Sequence, residues 1–225
     1  MKIGILQTGI AAEALISKHG DYPDNFKAFL QDRGFDFEVY QVINNIFPKD
    51  INECEGWLIT GSRHGAYEAH DWIPPLEKFI RDLYSADIPL IGVCFGHQII
   101  AKALGGIVEK FKGGWTVGPQ VYKNEDGQEV RLNAYHQDQV ISAPECATHI
   151  SGNETCKNAI IIYDNKVFTM QPHPEFSNTY IRELIDARAI GLIDNYILEN
   201  ARNNLKDDLD AKEIANQFEA FFKRA

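Results

Sequence analysis

No stretch of the chain approaches the roughly 18 consecutive apolar residues of a membrane span. Its 225 residues contain no repeat, low-complexity tract or Pro/Gly/Ser-rich linker. That length fits one large domain or two small ones, and the missing linker favours a single domain over residues 1–225. A chain of this size is expected to bury roughly 70–75% of its unfolded surface, enough for a core without staples. Positive charge is scarce: 22 Lys and Arg stand against 32 Asp and Glu, a net charge of −10. The balance argues against non-specific binding to nucleic acid or to an anionic membrane. Cysteine is scarce too. Cys54, Cys94, Cys146 and Cys156 form no C-x-x-C pair, and Cys94 with His97 makes a lone C-x-x-H, short of a four-ligand zinc site. Cys54, Cys146 and Cys156 read as buried, reduced thiols. The opening residues, Met1 to Gly9, are strand-like, with no basic region, long apolar core or cleavage site, so a reducing cytoplasm is the expected compartment.

Against this background one segment stands out, Gly92-Val93-Cys94-Phe95-Gly96-His97-Gln98. An apolar run of strand type precedes it at 88–93, and helical spacing follows at 96–104 until Gly105-Gly106. Gly-x-Cys-x-Gly is the cysteine form of the nucleophile elbow, a turn so tight that side chains at the flanking positions would collide. The sulfur then stands at a helix N-terminus, where free N–H groups and the helix dipole favour a thiolate. A base for it lies in Gln171-Pro172-His173-Pro174-Glu175-Phe176. Pro174 disfavours helical geometry at His173, so the segment runs extended and His173 and Glu175 project to one side. Glu175 can hold one ring nitrogen while the other faces sulfur, the nucleophile, base and orienter logic of a triad.

Elsewhere the chain alternates strands and helices. Strands are predicted at 2–7, 35–42, 56–60 and 88–93, with helices at 24–34, 72–85 and 96–104, the rhythm of a wound parallel sheet. From Gly113 the character changes to short strands at 115–122, 129–134, 148–151, 159–163 and 167–170, with Asp164-Asn165 as a hairpin turn. From Ser177 onward the pattern is helical. The spacing of Ile214, Phe218, Phe221 and Phe222 predicts a last helix at 210–223 packed on the domain.

In this order and spacing the two segments resemble the class I (triad) glutamine amidotransferases, whose glutaminase domains carry G-x-C-x-G-H-Q and, much later, H-P-E. The resemblance runs from about Met1 to Phe176 and leaves 177–225 as a helical extension. It includes Ala134-Tyr135-His136-Gln137-Asp138-Gln139-Val140, similar to the S-H-G-D-x-V of the GMP-synthetase glutaminase domain. It implies an α/β, three-layer fold, a mostly parallel central sheet flanked by helices, with C-terminal helices. It implies hydrolysis of a γ-glutamyl amide, glutamine to glutamate and ammonia, through a thioester on Cys94 with His173 and Glu175, and no cofactor. The oxyanion would be held by the N–H of Phe95, the residue after the nucleophile, and by Gly61, which the resemblance adds. Gln98 and the backbone of Tyr135, His136 and Gln137 would grip the amino-acid end of the substrate. Tyr135 and Gln137 depart from the family's small residues, which bears on the substrate and not on the chemistry. For His136 and Asp138 a solvated loop is the equal alternative.

The chain has neither an S-G-G-x-D-S pyrophosphatase loop nor a Walker A motif. Ammonia would therefore pass to a separate synthetase subunit, or the domain works alone. Ile59-Thr60-Gly61-Ser62-Arg63-His64, followed by Ala69-His70-Asp71-Trp72-Ile73, is similar to plant γ-glutamyl peptidases, stand-alone members that cleave glutathione conjugates, and this is the second reading. A non-hydrolytic thiol sensor is the third, and the His173–Glu175 pair argues against it. His64, His70 and Asp71 share a loop without a recognised ligand spacing, so no metal is expected there. Arg63 and Tyr67 on that loop could contact substrate, with a surface role as the default reading.

Overall fold

The computed structural model describes residues 1–124, 126–206 and 208–224. In chain order the first half runs Lys2–Leu6 (β1), Glu13–His19 (α1), Tyr22–Phe29 (α2), Asp36–Tyr40 (β2), Gly56–Ile59 (β3), Ile73–Ser85 (α3), Leu90–Val93 (β4) and Phe95–Ala103 (α4). Seven strands and then three helices along with one π-helical stretch complete it. The strands are Ile107–Lys110 (β5), Thr116–Lys123 (β6), Glu129–His136 (β7), Asp138–Ser142 (β8), His149–Ser151 (β9), Ile160–Tyr163 (β10) and, after the Asp164-Asn165 turn, Val167–Met170 (β11). Asn178–Leu184 (α5), the π-helical Ile185–Ala189, Asn195–Asn204 (α6) and Ala211–Phe222 (α7) end the chain.

The main sheet has seven strands in the order β2-β1-β3-β4-β11-β10-β9. Strands β2, β1, β3, β4 and β11 run parallel, while β10 and β9 are antiparallel additions. Every residue of β3, β4, β10 and β11 is buried, as expected for strands covered on both faces. Alternation along β3 sends Trp57 and Ile59 to one core with Leu76, Phe79 and Ile99 of α3 and α4. Leu58 goes to the other, with Phe26 of α2 and Ile214, Phe218 and Phe222 of α7. That is the three-layer α/β arrangement, and the aromatic stripe of the last helix is core packing. A third cluster joins α1, α5 and α6 through Leu15, Tyr180, Ile181 and Leu198.

The Asp164-Asn165 turn has positive φ at both residues, 47° and 59°, the mirror-image turn geometry that matches strand twist. Three elements depart from the sequence expectation. The helix predicted at 24–34 starts earlier, because Asp21 and Asp24 form a capping box around Tyr22 and Pro23. Strands β5 and β8, which pair with each other, carry no apolar alternation strong enough to show in sequence. The segment at 134–140 is no solvated loop: it is the end of β7 and the start of β8, and His136 is only 3% exposed. Among the described residues no helix is long and apolar enough to cross a membrane.

Candidate active site

Parallel neighbours β4 and β11 end side by side, and the residues that follow them meet at the sheet's carboxyl edge, where α/β sheets place their ligands. Cys94 follows β4 directly and its N–H donates to Met170 O at 2.8 Å, which ties the turn to the last residue of β11. Its φ of 54° and ψ of −104° are unusual for a residue with a side chain, the local strain expected of an elbow. The flanking glycines are required by space. A Cβ on Gly92 would lie 2.7 Å from the Gly96 carbonyl, and one on Gly96 would lie 2.3 Å from Ile59 O. Gly96→Ala is therefore expected to cost about 2 kcal/mol or more and to lower the thermal midpoint by roughly 4–8 °C. An unchanged midpoint in a thermal melt would mean that β3 yields freely.

Three residues after β11, His173 donates its backbone N–H to Asn133 O at 2.8 Å, and the Asn133 side chain donates to Phe176 O at 2.9 Å and Asn178 Oδ1 at 3.1 Å. Asn133 thus clamps the turn that carries the imidazole. The ring stacks on Phe176 at 4.1 Å and 8°, and Phe176 stacks in turn on Tyr180. His173 Nδ1 lies 2.7 Å from Glu175 Oε1, both side chains being almost wholly buried. Cys94 lies beside the same ring, the two side chains flanking Gly61. Burial alone would discharge the imidazole, but the Glu175 carboxylate and the Cys94 sulfur outweigh it and push its pKa up to about 10. The arrangement places the Cys94 sulfur beside an oriented, proton-bearing imidazole.

These groups open on a cavity of about 490 Å³. The sequence-predicted Cys94, His173, Gly61, Gln98, Tyr135, His136 and Gln137 all line it. Glu175 sits behind His173, and Phe95 begins α4 with its side chain buried against Trp72, ring centroids 5.5 Å apart. Gly61 lies against both partners: a Cβ there would come 3.1 Å from His173 Cε1 and 3.8 Å from Cys94 Cβ. Its carbonyl accepts from the Thr60 hydroxyl at 3.1 Å and the Thr8 hydroxyl at 3.3 Å, which fixes the peptide. Gln98 Nε2 donates to Asp138 O at 2.9 Å and Gln171 Oε1 at 3.0 Å. His136 is held down to about 3 by burial and by the neighbouring His173 charge, so it is neutral. Burial raises Tyr135 to about 12. His97, whose Nδ1 lies 2.8 Å from Thr169 Oγ1, is likewise neutral through burial, its pKa down to about 3, and it ties α4 to β11.

Arg63 and Tyr67, whose default reading is a surface role with substrate contact as the alternative, line the cavity. Tyr22, Lys110 and Trp115, not singled out in the sequence, also line it. From the extension come Leu184, Arg188 and Leu192. Only spatial proximity reveals them, because no motif links residue 188 to residue 94. The loop histidines assemble differently from the sequence grouping: His64 and His70 converge on Glu68 rather than on Asp71. Cys54 and Cys156 are buried and Cys146 half-buried, and all four cysteines are free.

Comparison with known proteins agrees with this architecture. γ-Glutamyl peptidase 2 of Arabidopsis thaliana is 28% identical over 219 residues, covering 91% of this chain and 88% of that protein. A probable glutamine-hydrolysing GMP synthase of Leptospira interrogans is 29% identical over 170 residues, 70% of this chain but 26% of the synthase. The crystal structure of a glutamine amidotransferase from Methylobacillus flagellatus superposes with a TM-score of 0.79 at 22% identity, over 99% of this chain and 94% of that one. Residues 18–189 match the family described as glutamine amidotransferase class-I, and the chain belongs to that family.

Proposed function

We propose that this protein hydrolyses a γ-glutamyl amide bond through a thioester on Cys94. The observation that carries the reading is the buried pair of His173 and Glu175, 2.7 Å apart, with Cys94 on the same imidazole. Cys94 sulfur attacks the γ-carbonyl carbon, and the carbonyl electrons move to oxygen, where the N–H groups of Phe95 and Gly61 hold the oxyanion. His173 delivers its proton to the amide nitrogen, the C–N bond breaks, and ammonia or an amine departs. Water then attacks the thioester, giving a proton to His173, and the C–S bond breaks to release the γ-carboxylate. Glu175 orients the ring and balances its charge.

Gln98 has committed its amide nitrogen to Asp138 O and Gln171 Oε1, which leaves Oε1 as an acceptor for a substrate ammonium. Tyr135, His136 and Gln137 form the wall beside it. Since Leu184, Arg188 and Leu192 line the same cavity, we take residues 1–225 as one functional domain. Four free thiols support a reducing, cytoplasmic compartment.

Two substrate classes compete. Glutamine, with ammonia passed to a separate synthetase subunit, follows from the family. A γ-glutamyl peptide has a specific observation in its favour. The cavity falls in the range of roughly 300–1,000 Å³ that encloses drug-sized ligands, and Arg63, Lys110 and Arg188 on its wall suit a peptide carboxylate. The near full-length match to a γ-glutamyl peptidase points the same way. Pure protein should be assayed with glutamine, γ-glutamyl dipeptides and glutathione, with ammonia and free amines measured separately. Unassisted peptide cleavage with poor glutamine turnover is the result expected of the peptidase. Slow glutamine turnover raised by a co-purifying protein selects the amidotransferase. Absence of an acid-trapped thioester with every substrate would overturn the hydrolase reading and leave the sensor.

A further inference from the structure

The loop between β3 and α3 holds a second convergence of chemically active groups, independent of Cys94. His64 Nδ1 lies 3.2 Å and His70 Nε2 2.6 Å from one oxygen, Glu68 Oε2. The ligand atoms of all three side chains lie within 4.8 Å of one another, and the two imidazoles stand 4.2 Å apart, edge to face. Two imidazoles and one carboxylate are a donor set used by zinc sites that keep an open position. Donors bound at about 2.0–2.2 Å in a tetrahedron stand roughly 3.3 Å apart, so small side-chain rotations would admit an ion where the three atoms now meet.

Their surroundings favour such a site. His70 stacks flat on Trp72, centroids 5.7 Å apart at 9°, and Trp72 is buried against Phe95. The His64 backbone N–H donates to Ser62 Oγ at 3.2 Å. The Trp72 stack limits how far the His70 ring can turn, as outer contacts do around metal ligands. Entry is open: the Glu68 and His70 side chains are 42% and 33% exposed, while His64 and Glu68 also line the Cys94 cavity.

We propose that His64, Glu68 and His70 bind one divalent transition-metal ion of the zinc class at the mouth of the Cys94 cavity. A fourth ligand would come from solvent or from a carboxylate or thiolate entering the cavity. The assignment stands apart from the hydrolase reading, since no step at Cys94 enters it. It also departs from the sequence expectation of no metal, because Glu68 and not Asp71 completes the set.

The test is zinc uptake by the Cys94→Ser protein, which removes the sulfur that could bind zinc together with His173. Equilibrium dialysis and calorimetry should find one zinc per chain. His64→Ala, His70→Ala and Glu68→Gln should each weaken binding roughly tenfold or more, with far-UV circular dichroism confirming that each variant is folded. Cobalt added in place of zinc should give a low-coordinate visible spectrum without a thiolate charge-transfer band. No saturable uptake would overturn the proposal and leave Glu68 as a hydrogen-bond acceptor for two histidines. Undiminished uptake by the folded histidine variants, or a thiolate band pointing to Cys146, would overturn it equally.

Discussion

Cys94→Ala is expected to lower turnover of γ-glutamyl substrates by about a millionfold, to near the background left by binding alone. The loss is total in this sense because, among the described lining residues, Cys94 is the nucleophile that acts on the charge of the His173 ring. The fold should survive. Alanine retains a Cβ, so the strained backbone at φ 54° and ψ −104° is neither relieved nor worsened, and the midpoint should fall only by what the sulfur contributes to the His173 charge. Cys94→Gly serves as the control, because it removes the same sulfur while relieving strain worth about 1 kcal/mol or more. It should be equally inactive but melt higher. A glutamine-mimicking electrophile such as a diazo-ketone should label the native chain once, and peptide mapping should find it on Cys94. Label on Cys54, Cys146 or Cys156 would sink the assignment.

The second large effect concerns Glu175. Glu175→Gln should reduce kcat roughly ten-thousandfold, against roughly a millionfold for His173→Ala, because the carboxylate holds the ring but transfers no proton. A stability readout separates orientation from mere packing. Burial pulls the His173 pKa down, but Glu175 and Cys94 overcome it and raise it from 6.5 to about 10. Between those values the native protein keeps a proton that the unfolded chain has released. The contribution of this ring to stability is therefore complete below pH 6.5 and is lost as pH rises through 10. In Glu175→Gln that alkaline decline should still begin near pH 6.5 but be smaller and end at lower pH, which denaturant unfolding across pH 6–10.5 would reveal. A variant that loses activity but keeps the native pH profile would show that Glu175 does not set the charge of the ring.

What could be read from the chain alone was whatever sterics or periodicity fixes locally. Gly92 and Gly96 announce the elbow because no Cβ fits at either place, and Pro174 announces the extended turn that brings Glu175 to His173. The buried strands are visible because both their faces are apolar. Strands β5 and β8 were not, since their residues are partly exposed and their pairing joins Ile107 to Ser142 across intervening sequence. His136 stayed divided between substrate contact and a solvated loop for a related reason: one buried polar ring between Tyr135 and Gln137 looks no different in sequence from a loop residue. Asn133 was missed although it holds the turn of His173, because its partners lie some forty positions away. The wall formed by Leu184, Arg188 and Leu192 depends on how the extension folds back over the sheet, and amphipathic periodicity does not encode that.

The position of β11 bears on how the protein comes into being. Val167–Met170 lies in the middle of the sheet, with Leu90↔Val167 and Ile160↔Met170 as its flanking registers. On a ribosome the first four parallel strands emerge long before the strand that must seat beside β4. Until then the edge of β4 is unpaired, exposing a β-template beside Cys94. Contacts of such long sequence separation slow folding and leave partly folded chains prone to association. A nascent chain released short of residue 170 would thus present the elbow without its base, its central pairing or its cavity wall. The completed sheet and the pairing of Cys94 with His173 arrive together, so the proposed chemistry waits until Glu175 has been made.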